Sequence, residues 1–510
     1  MVEKTNKQME ELTPAEQLEA LDEAALAALL SSGLIVGPDP EILTEVKAAP
    51  DPSVELANDV ALGAQVDEIY REIISRAPEH KVQPSLERVK ECLDLLGNPQ
   101  DTYRAIHLTG TNGKTSTARM IEALLRERGL RTGRFTSPHL NSVRERITIN
   151  GRAISAADFI DTWEDVRPVI ELVDARSQAK GGPKLSFFEV FTVMAYSAFA
   201  MAPIDVAVVE VGMGGRWDAT NVIDADVAVI LPVALDHQQW LGTTVEEIAQ
   251  EKLGILKPGK ILVTAAQEPQ VAELIAADTQ QKYAQLIAAG GDFQVLSRER
   301  AVGGQMISLR TPAAIYEDIP LAMFGAYQAE NAAVALSAVE AFFGGGALPG
   351  EVVELALMST KSPGRMEVVK GSPVIIVDAS HNPAGAKVTM QTLEENFPGP
   401  RVAVYSAMAD KDTESMLVEI EPYFAAIVLT QMRGERAANI ADLALLAREV
   451  FGEERVHLAP ELGDAITTAA DLAETADPDA IAPASVVILG SIQLAGAARE
   501  LLGAKQLDQA

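Results

Sequence analysis

The run Leu108-Thr109-Gly110-Thr111-Asn112-Gly113-Lys114-Thr115-Ser116-Thr117 constrains the fold more than any other stretch of the chain. A strand-like segment, Tyr103-Arg104-Ala105-Ile106-His107-Leu108, precedes it, and Met120, Ile121, Leu124 and Leu125 recur at helical spacing after it. Strand, glycine turn and helix form the setting in which such residues bind phosphate. Glycines let the backbone approach, the freed N–H groups and the helix N-terminus favour negative charge, the lysine reaches a terminal phosphate, and a hydroxyl holds magnesium. An ATP site is the expectation. The glycine that a full Walker A carries five residues before Gly113 is Leu108 here, so the loop is a shortened form.

At 510 residues the chain exceeds one ordinary core, and 48% apolar residues are ample for two. No run of about 18 apolar residues and no basic-then-apolar N-terminus occurs, so no membrane span or signal peptide is expected, and the reading is a cytoplasmic protein. The single cysteine, Cys92, rules out an intrachain disulfide and is expected as a half-buried thiol on a helix over residues 84–96. A net charge of −31 argues against a nucleic-acid partner, since no basic field offsets phosphate repulsion, while a local basic pocket is still allowed.

Residues 1–62 are rich in Glu, Asp, Ala and Pro, and the segments 37–40 and 49–52 interrupt short helical patterns such as 14–30. This reads as an acidic, partly disordered extension. From residue 64 helices at 64–77 and 84–96 lead into alternating strands and helices. Apolar runs at 204–211, 227–231 and 261–263 suit a parallel sheet covered on both faces. A helix over 328–343, Gly344-Gly345-Gly346 and a short helix over 350–358 lead to a boundary near 360. Beyond it, runs at 374–377, 402–405, 426–429 and 486–489 predict a second α/β domain. The predicted fold is a P-loop-containing, doubly wound, mostly parallel sheet domain over 63–360, followed by a smaller Rossmann-like α/β domain over 361–510.

In a parallel sheet, ligand groups collect at the carboxyl ends of strands. Three apolar runs end in suitable residues: Glu210, followed by Val211-Gly212-Met213-Gly214-Gly215-Arg216-Trp217-Asp218-Ala219-Thr220-Asn221; Asp236-His237; and Asp378-Ala379-Ser380-His381-Asn382-Pro383. Singly, Glu210 reads as a cap, His237 as a loop histidine and the glycines as a tight turn. Their shared position makes them candidate ligands of a nucleotide-bound Mg²⁺. Thr243-Thr244-Val245-Glu246-Glu247 reads as a capping box opening the helix that carries Lys252, which by spacing alone is a solvated lysine.

The ordered set of residues 109–116, 136–140 with Glu145-Arg146-Ile147, Ser186-Phe187-Phe188-Glu189, 210–221, Asp236-His237 with Leu241-Gly242, 251–255, Gln328 with Asn331, Pro363-Gly364-Arg365 with Glu367, and 378–383 resembles the folylpolyglutamate synthase/dihydrofolate synthase family of the Mur ligase superfamily. The resemblance covers roughly residues 65–500. The blocks 136–147 and 214–221 are typical of its folate branch.

That resemblance implies an ATP-dependent amide ligase that joins L-glutamate to dihydropteroate, to folates, or to both, through an acyl phosphate. It implies ATP on Gly110, Thr111, Asn112, Gly113, Lys114, Thr115, Ser116, Gln328, Asn331, Arg365 and Asp378. A first Mg²⁺ would sit on Ser116 and Glu210, with Thr115 as the competing hydroxyl, and His237 would join a second metal site. Lys252 matches a lysine that the family carbamylates into a metal ligand. Lys114, Lys252, His237 and His381 are the implied catalytic set. The pterin side is implied to involve Thr136, Ser137, Pro138, His139, Arg146 and Phe188, with a core role for either Phe187 or Phe188 equally open. A monomer is the family's usual state.

Thr115 replaces the folate branch's common glycine and looks more like the Mur pattern. Trp217, Leu253, Tyr327 and Ser380 are further departures that leave the adjacent polar residues intact. Two other readings are a Mur-type ligase acting on a peptidoglycan precursor and a nucleotide-binding protein without catalysis.

Overall fold

Both faces of the central sheet are apolar, and the alternation along each strand shows why. Ile106, Leu108, Val206 and Val208 point into one buried cluster, while Ala105, Ala207 and Val209 point into another. Successive side chains of a strand face opposite ways, so a strand apolar at every position must be covered on both sides. The computed structural model describes residues 52–77, 85–434, 436–476 and 480–504. The described residues from 62 onward form one compact unit.

That sheet has eight strands in the order β4-β3-β2-β5-β1-β6-β7-β8. They are β1 (Arg104–Thr109), β2 (Thr132–Phe135), β3 (Ile147–Ile149), β4 (Arg152–Ala153), β5 (Val206–Glu210), β6 (Val227–Ile230), β7 (Ile261–Thr264) and β8 (Gln285–Ala288). From β2 through β8 every neighbouring pair is parallel, and β3 and β4 add an antiparallel edge. The first strand with a phosphate loop after it, β1, lies between β5 and β6. Leu108 pairs with Glu210, and Thr109 with Ile230. The three carboxyl ends that carry Gly110, Glu210 and the 231–237 loop therefore open side by side.

A three-stranded antiparallel sheet follows, β11-β10-β9, made of β9 (Gln294–Ala301), β10 (Gly304–Arg310) and β11 (Ile315–Leu321). The predicted strands did not include it. Its first strand carries Arg298, Glu299 and Arg300 and is largely exposed, so it contains no continuous apolar run to recognise.

The six-stranded sheet β12-β13-β17-β14-β15-β16 comprises β12 (Glu367–Gly371), β13 (Val374–Val377), β14 (Arg401–Tyr405), β15 (Ala426–Leu429), β16 (Val456–Leu458) and β17 (Ser485–Leu489). All its pairs are parallel except β12 with β13. Ile376, Ala403, Tyr405 and Val487 enter one cluster, and Ile375, Val402, Val404 and Val486 the other. Fully burying each Val, Leu or Ile contributes roughly 1.5–3 kcal/mol.

Element bounds move in places. The helix expected from residue 64 runs Pro52–Ile74, and the one expected over 84–96 runs Glu87–Leu95, with residue 84 outside the described residues. The acidic extension up to residue 51, and its helical pattern at 14–30, also lie outside them. Cys92 is fully buried, not half-buried, and burial pushes its thiol up to about 12, so it is inert packing.

Candidate active site

The phosphate loop is shaped by two close approaches. A side chain on Gly110 would meet Leu231 Cβ at 2.5 Å, and one on Gly113, at φ +87°, would meet Asn331 Oδ1 at 2.8 Å. Only glycine satisfies both constraints. Thr111 closes the loop onto the chain after β6: its N–H donates to Pro232 O at 3.0 Å, and its hydroxyl donates to Ala234 O at 3.0 Å and accepts from Ala234 N at 2.9 Å. Gly113 caps the helix Lys114–Glu127. Lys114 Nζ folds back to donate to the Gly110 and Thr111 carbonyls, each at 3.0 Å, and burial lowers its pKa. Its ammonium thus stands over the loop in which phosphates would lie.

Glu210, at the end of β5, is 1% exposed. The hydroxyl facing it is that of Thr115, which lies 3.0 Å from each carboxylate oxygen. Ser116 points elsewhere: its hydroxyl pairs with Ser362 Oγ at 2.9 Å and accepts from Gln328 Nε2 at 3.3 Å. Of the two candidate hydroxyls, Thr115 faces Glu210 in this fold and Ser116 faces Ser362 and Gln328. On a helix, adjacent residues point about 100° apart, so only one of the two hydroxyls can face β5. Burial raises the Glu210 pKa to about 7, with Lys114 pulling the other way. A buried carboxylate this short of compensating charge, with a hydroxyl beside it, is a donor set suited to a hard divalent cation. Among the described residues no cluster of three or more His, Cys, Asp and Glu exists, so any such ion would need oxygens from its ligand.

Lys252 is not a solvated lysine. It ends the helix Val245–Lys252, whose start is the expected capping box, Thr244 with Glu247, and it is 4% exposed. Its Nζ donates to Gly110 O at 2.9 Å. Burial, reinforced by Lys114, lowers its pKa to about 7. Lys252, Lys114, Asp236 and His237 line one pocket of about 290 Å³ with Gly110 and Thr111. His237 is the exposed member, in a left-handed conformation at φ +49° and 3.7 Å from Asp236. Burial works to raise the Asp236 pKa, but His237, Lys411, His381 and Lys114 hold it below the usual carboxylate range.

The rest of the chain reaches this pocket from the six-stranded sheet. Lys411, in the loop after β14, donates to Asp236 Oδ1 at 3.3 Å. Asn382 and Asn112 exchange amide hydrogen bonds at 3.2 and 3.3 Å. Buried Gln328 accepts from Asn331 Nδ2 at 3.1 Å, and together they back the phosphate loop. Asp378 is consumed locally, accepting from Met366 N, Ser380 N and Thr389 Oγ1 at 2.9–3.0 Å. It thereby holds Met366 at φ +46° and aims the adjacent Arg365. His381 Nδ1 donates to Ala379 O at 3.0 Å, and burial, then Lys411, pushes its pKa down to about 4. Lys411, Ser362 and Asn382 were not among the predicted site residues. Extending the strand-end rule to β14 would have pointed to Lys411; nothing in composition marks Ser362.

A second cleft, about 810 Å³, lies on the Thr115 side, lined by Thr115, Arg119, Thr136, Pro138, His139, Leu140, Arg144, Arg365 and Arg499 among others. Thr136, Pro138 and His139 thus reach it, and Ser137 is nearly buried beside them. Arg146 and Phe188 do not line it. Arg146 is 2% exposed, donates to His139 Nδ1 at 2.9 Å and lies over the Phe187 and Phe191 rings at 4.9 and 5.5 Å, so it supports the loop from behind. Phe188 packs over Gly212, where a Cβ would come within 2.5 Å of its ring, and Phe187 enters the core. Phe187 is buried at the start of the helix Phe187–Met201, and Phe188 is partly buried beside it.

The model of the Mur ligase middle domain matches residues 177–339, and that of the Mur ligase glutamate ligase domain matches 364–491. Dihydrofolate synthase/folylpolyglutamate synthase of Mycobacterium tuberculosis is 45% identical over 485 residues, covering 91% of this chain and 98% of the relative. The Bacillus subtilis protein of the same name is 33% identical, covering 71% and 84%. The crystal structure of Mycobacterium tuberculosis folylpolyglutamate synthase complexed with ADP and AMPPCP superposes with a TM-score of 0.82 at 44% identity, covering 88% of this chain and 99% of that one. An FPGS–AMPPCP–folate complex superposes at 0.73 with 31% identity, covering 86% and 99%. A phosphate loop backed by Glu210 and Lys252, two Mur ligase domain matches and relatives of this extent have one explanation: the chain belongs to the folylpolyglutamate synthase/dihydrofolate synthase family.

Proposed function

We propose that the chain is an ATP-dependent ligase that adds L-glutamate to dihydropteroate, to the glutamate tail of reduced folates, or to both. The observation that carries it is the meeting of Lys114, Glu210 and Lys252 around Gly110, next to the cleft formed by the 136–140 loop. A carboxylate is a poor electrophile, so its oxygen first takes the γ-phosphoryl group of ATP. The amine of glutamate then attacks the acyl carbon, the amide forms, and phosphate leaves with the P–O bond intact. Lys114 supplies a fixed positive charge where the phosphoryl charge develops, and the N–H groups of the loop orient it. Arg365, aimed by Asp378, and His381, neutral with its Nδ1 proton committed to Ala379, face this region from the other side. Closing the two sides together would exclude water from the acyl phosphate.

On the same reading Glu210 with the Thr115 or Ser116 hydroxyl would hold a magnesium ion, and His237 with a carbamate on Lys252 would hold a second. When bound, these ions neutralise phosphate charge. A lysine pKa near 7 supplies the neutral amine that carbamylation needs. A monomeric chain in the cytoplasm completes the reading. Phosphate release that requires both a pterin carboxylate and glutamate is the expected result; ATP turnover indifferent to both would sink it. Thr115 favours a second reading, a Mur-type ligase on a cell-wall precursor, which the same assay tests by offering nucleotide-sugar peptides in place of dihydropteroate.

A further inference from the structure

Arg499, on the last helix (Ile492–Leu501), is 3% exposed and sits where three segments meet. Its Nε and one terminal nitrogen donate to the Glu367 carboxylate at 2.7 and 3.2 Å, and the other terminal nitrogen donates to Asn141 Oδ1 at 2.8 Å. Glu367 in turn accepts from Gly364 N at 2.7 Å, which fixes the turn that presents Arg365. Asn141 continues directly from the 136–140 loop, and its Nδ2 donates to Gly496 O at 2.8 Å, one turn earlier on the same helix. A Cβ on Gly496 would overlap the Leu140 carbonyl, so the helix meets the loop backbone to backbone. From inside the loop, Glu145 accepts from Leu140, Asn141 and Ser142 N–H groups at 2.7–3.1 Å. Both structures joined by Arg499 line the larger cleft.

We propose that Arg499 is a positioning residue for substrate binding: it registers the 136–141 loop against the Gly364–Arg365 turn, and the cleft takes its binding shape only when this guanidinium joins them. The proposal rests on the cleft being the pterin side. The phosphate loop itself is held by a different set, Pro232, Ala234 and Glu210, and Asn141 bonds to none of them, while Glu367 fixes the Arg365 turn through Gly364 whether or not Asn141 is present. Affinity for the pterin substrate, not for ATP, then depends on the bonds between Asn141 and the last helix.

Arg499→Met also takes the guanidinium from the half-buried Glu367 carboxylate and can cost the fold. Asn141→Ala is therefore the decisive variant, because it removes the loop's side-chain bonds to the helix and leaves the Arg499–Glu367 pair. In phosphate-release kinetics with dihydropteroate, Asn141→Ala should raise the KM for dihydropteroate about tenfold while the KM for ATP stays within about twofold and the Tm within a few degrees. Arg499→Lys should recover part of the loss seen in Arg499→Met. A dihydropteroate KM near the wild-type value, or equal rises in both KM values, overturns the proposal. A wild-type enzyme that releases no phosphate in response to any pterin carboxylate would instead overturn the functional reading beneath it.

Discussion

The Thr115 hydroxyl stands 3.0 Å from both oxygens of Glu210, while the neighbouring Ser116 hydroxyl is bound to Ser362 and Gln328. The two adjacent hydroxyls therefore have separate tasks, one toward the candidate metal and one toward the segment leading to the six-stranded sheet.

Thr115→Ala should raise the Mg²⁺ concentration for half-maximal phosphate release by about tenfold. Ser116→Ala should shift the melting temperature instead, since it leaves Ser362 and Gln328 short of a partner at a cost of about 1–2 kcal/mol. A magnesium titration and a thermal melt of both variants check the division. The opposite pattern would restore the metal to Ser116.

Lys252→Ala should lower the glutamate-dependent rate by at least about a hundredfold with ATP binding largely kept. Lys252→Arg should be no better, because a guanidinium stays protonated and cannot carry a carbamate. The measurement is phosphate release beside nucleotide binding, with ¹³C NMR of the protein in labelled bicarbonate for the carbamate itself. Full activity in Lys252→Arg would exclude carbamylation.

Glu210 titrates near 7 in the fold against 4.5 outside it, so the fold binds its proton more tightly. Its stabilising contribution is complete below about 4.5 and lost as pH rises through about 7. Lys252, lowered from 10.5 to about 7, works in the adjoining window, its penalty being full below about 7 and gone above 10.5. Glu210→Gln should therefore gain stability over wild type as pH rises from 4.5 to 7 without nucleotide, by up to about 3 kcal/mol. Thermal melts across that range test it; a constant difference would show that Glu210 titrates normally.

Asp236 and Lys411 join the two sheets' loops at 3.3 Å with both side chains mostly buried. Removing either should weaken turnover, and the double variant Asp236→Ala/Lys411→Ala should lose less than the sum, with a coupling of about 1 kcal/mol or more in kcat/KM. Strict additivity would mean that the pair does not act as a unit.

Much of this was legible in the sequence for identifiable reasons. Strands buried on both faces are apolar along most of their length, so β5, β6, β7 and the inner strands of the second sheet stood out, while β1 was marked by the phosphate loop that follows it. The phosphate loop and the carboxyl-end residues Glu210, His237 and Asp378 are local patterns of residue type and spacing. The exposed β9–β11 sheet left no such signal, because its pattern mixes charge with apolar residues.

The sequence by itself determined the parallel α/β architecture, the ATP loop and the strand ends that carry polar groups, since each depends on neighbours along the chain. Only the tertiary structure decided that Thr115 and not Ser116 faces Glu210, that Lys252 is buried against Gly110, that Lys411 crosses to Asp236, and that Arg499 joins Asn141 to Glu367. Those facts depend on helix phase and on contacts between residues 95 to 358 positions apart, which spacing along a chain does not encode.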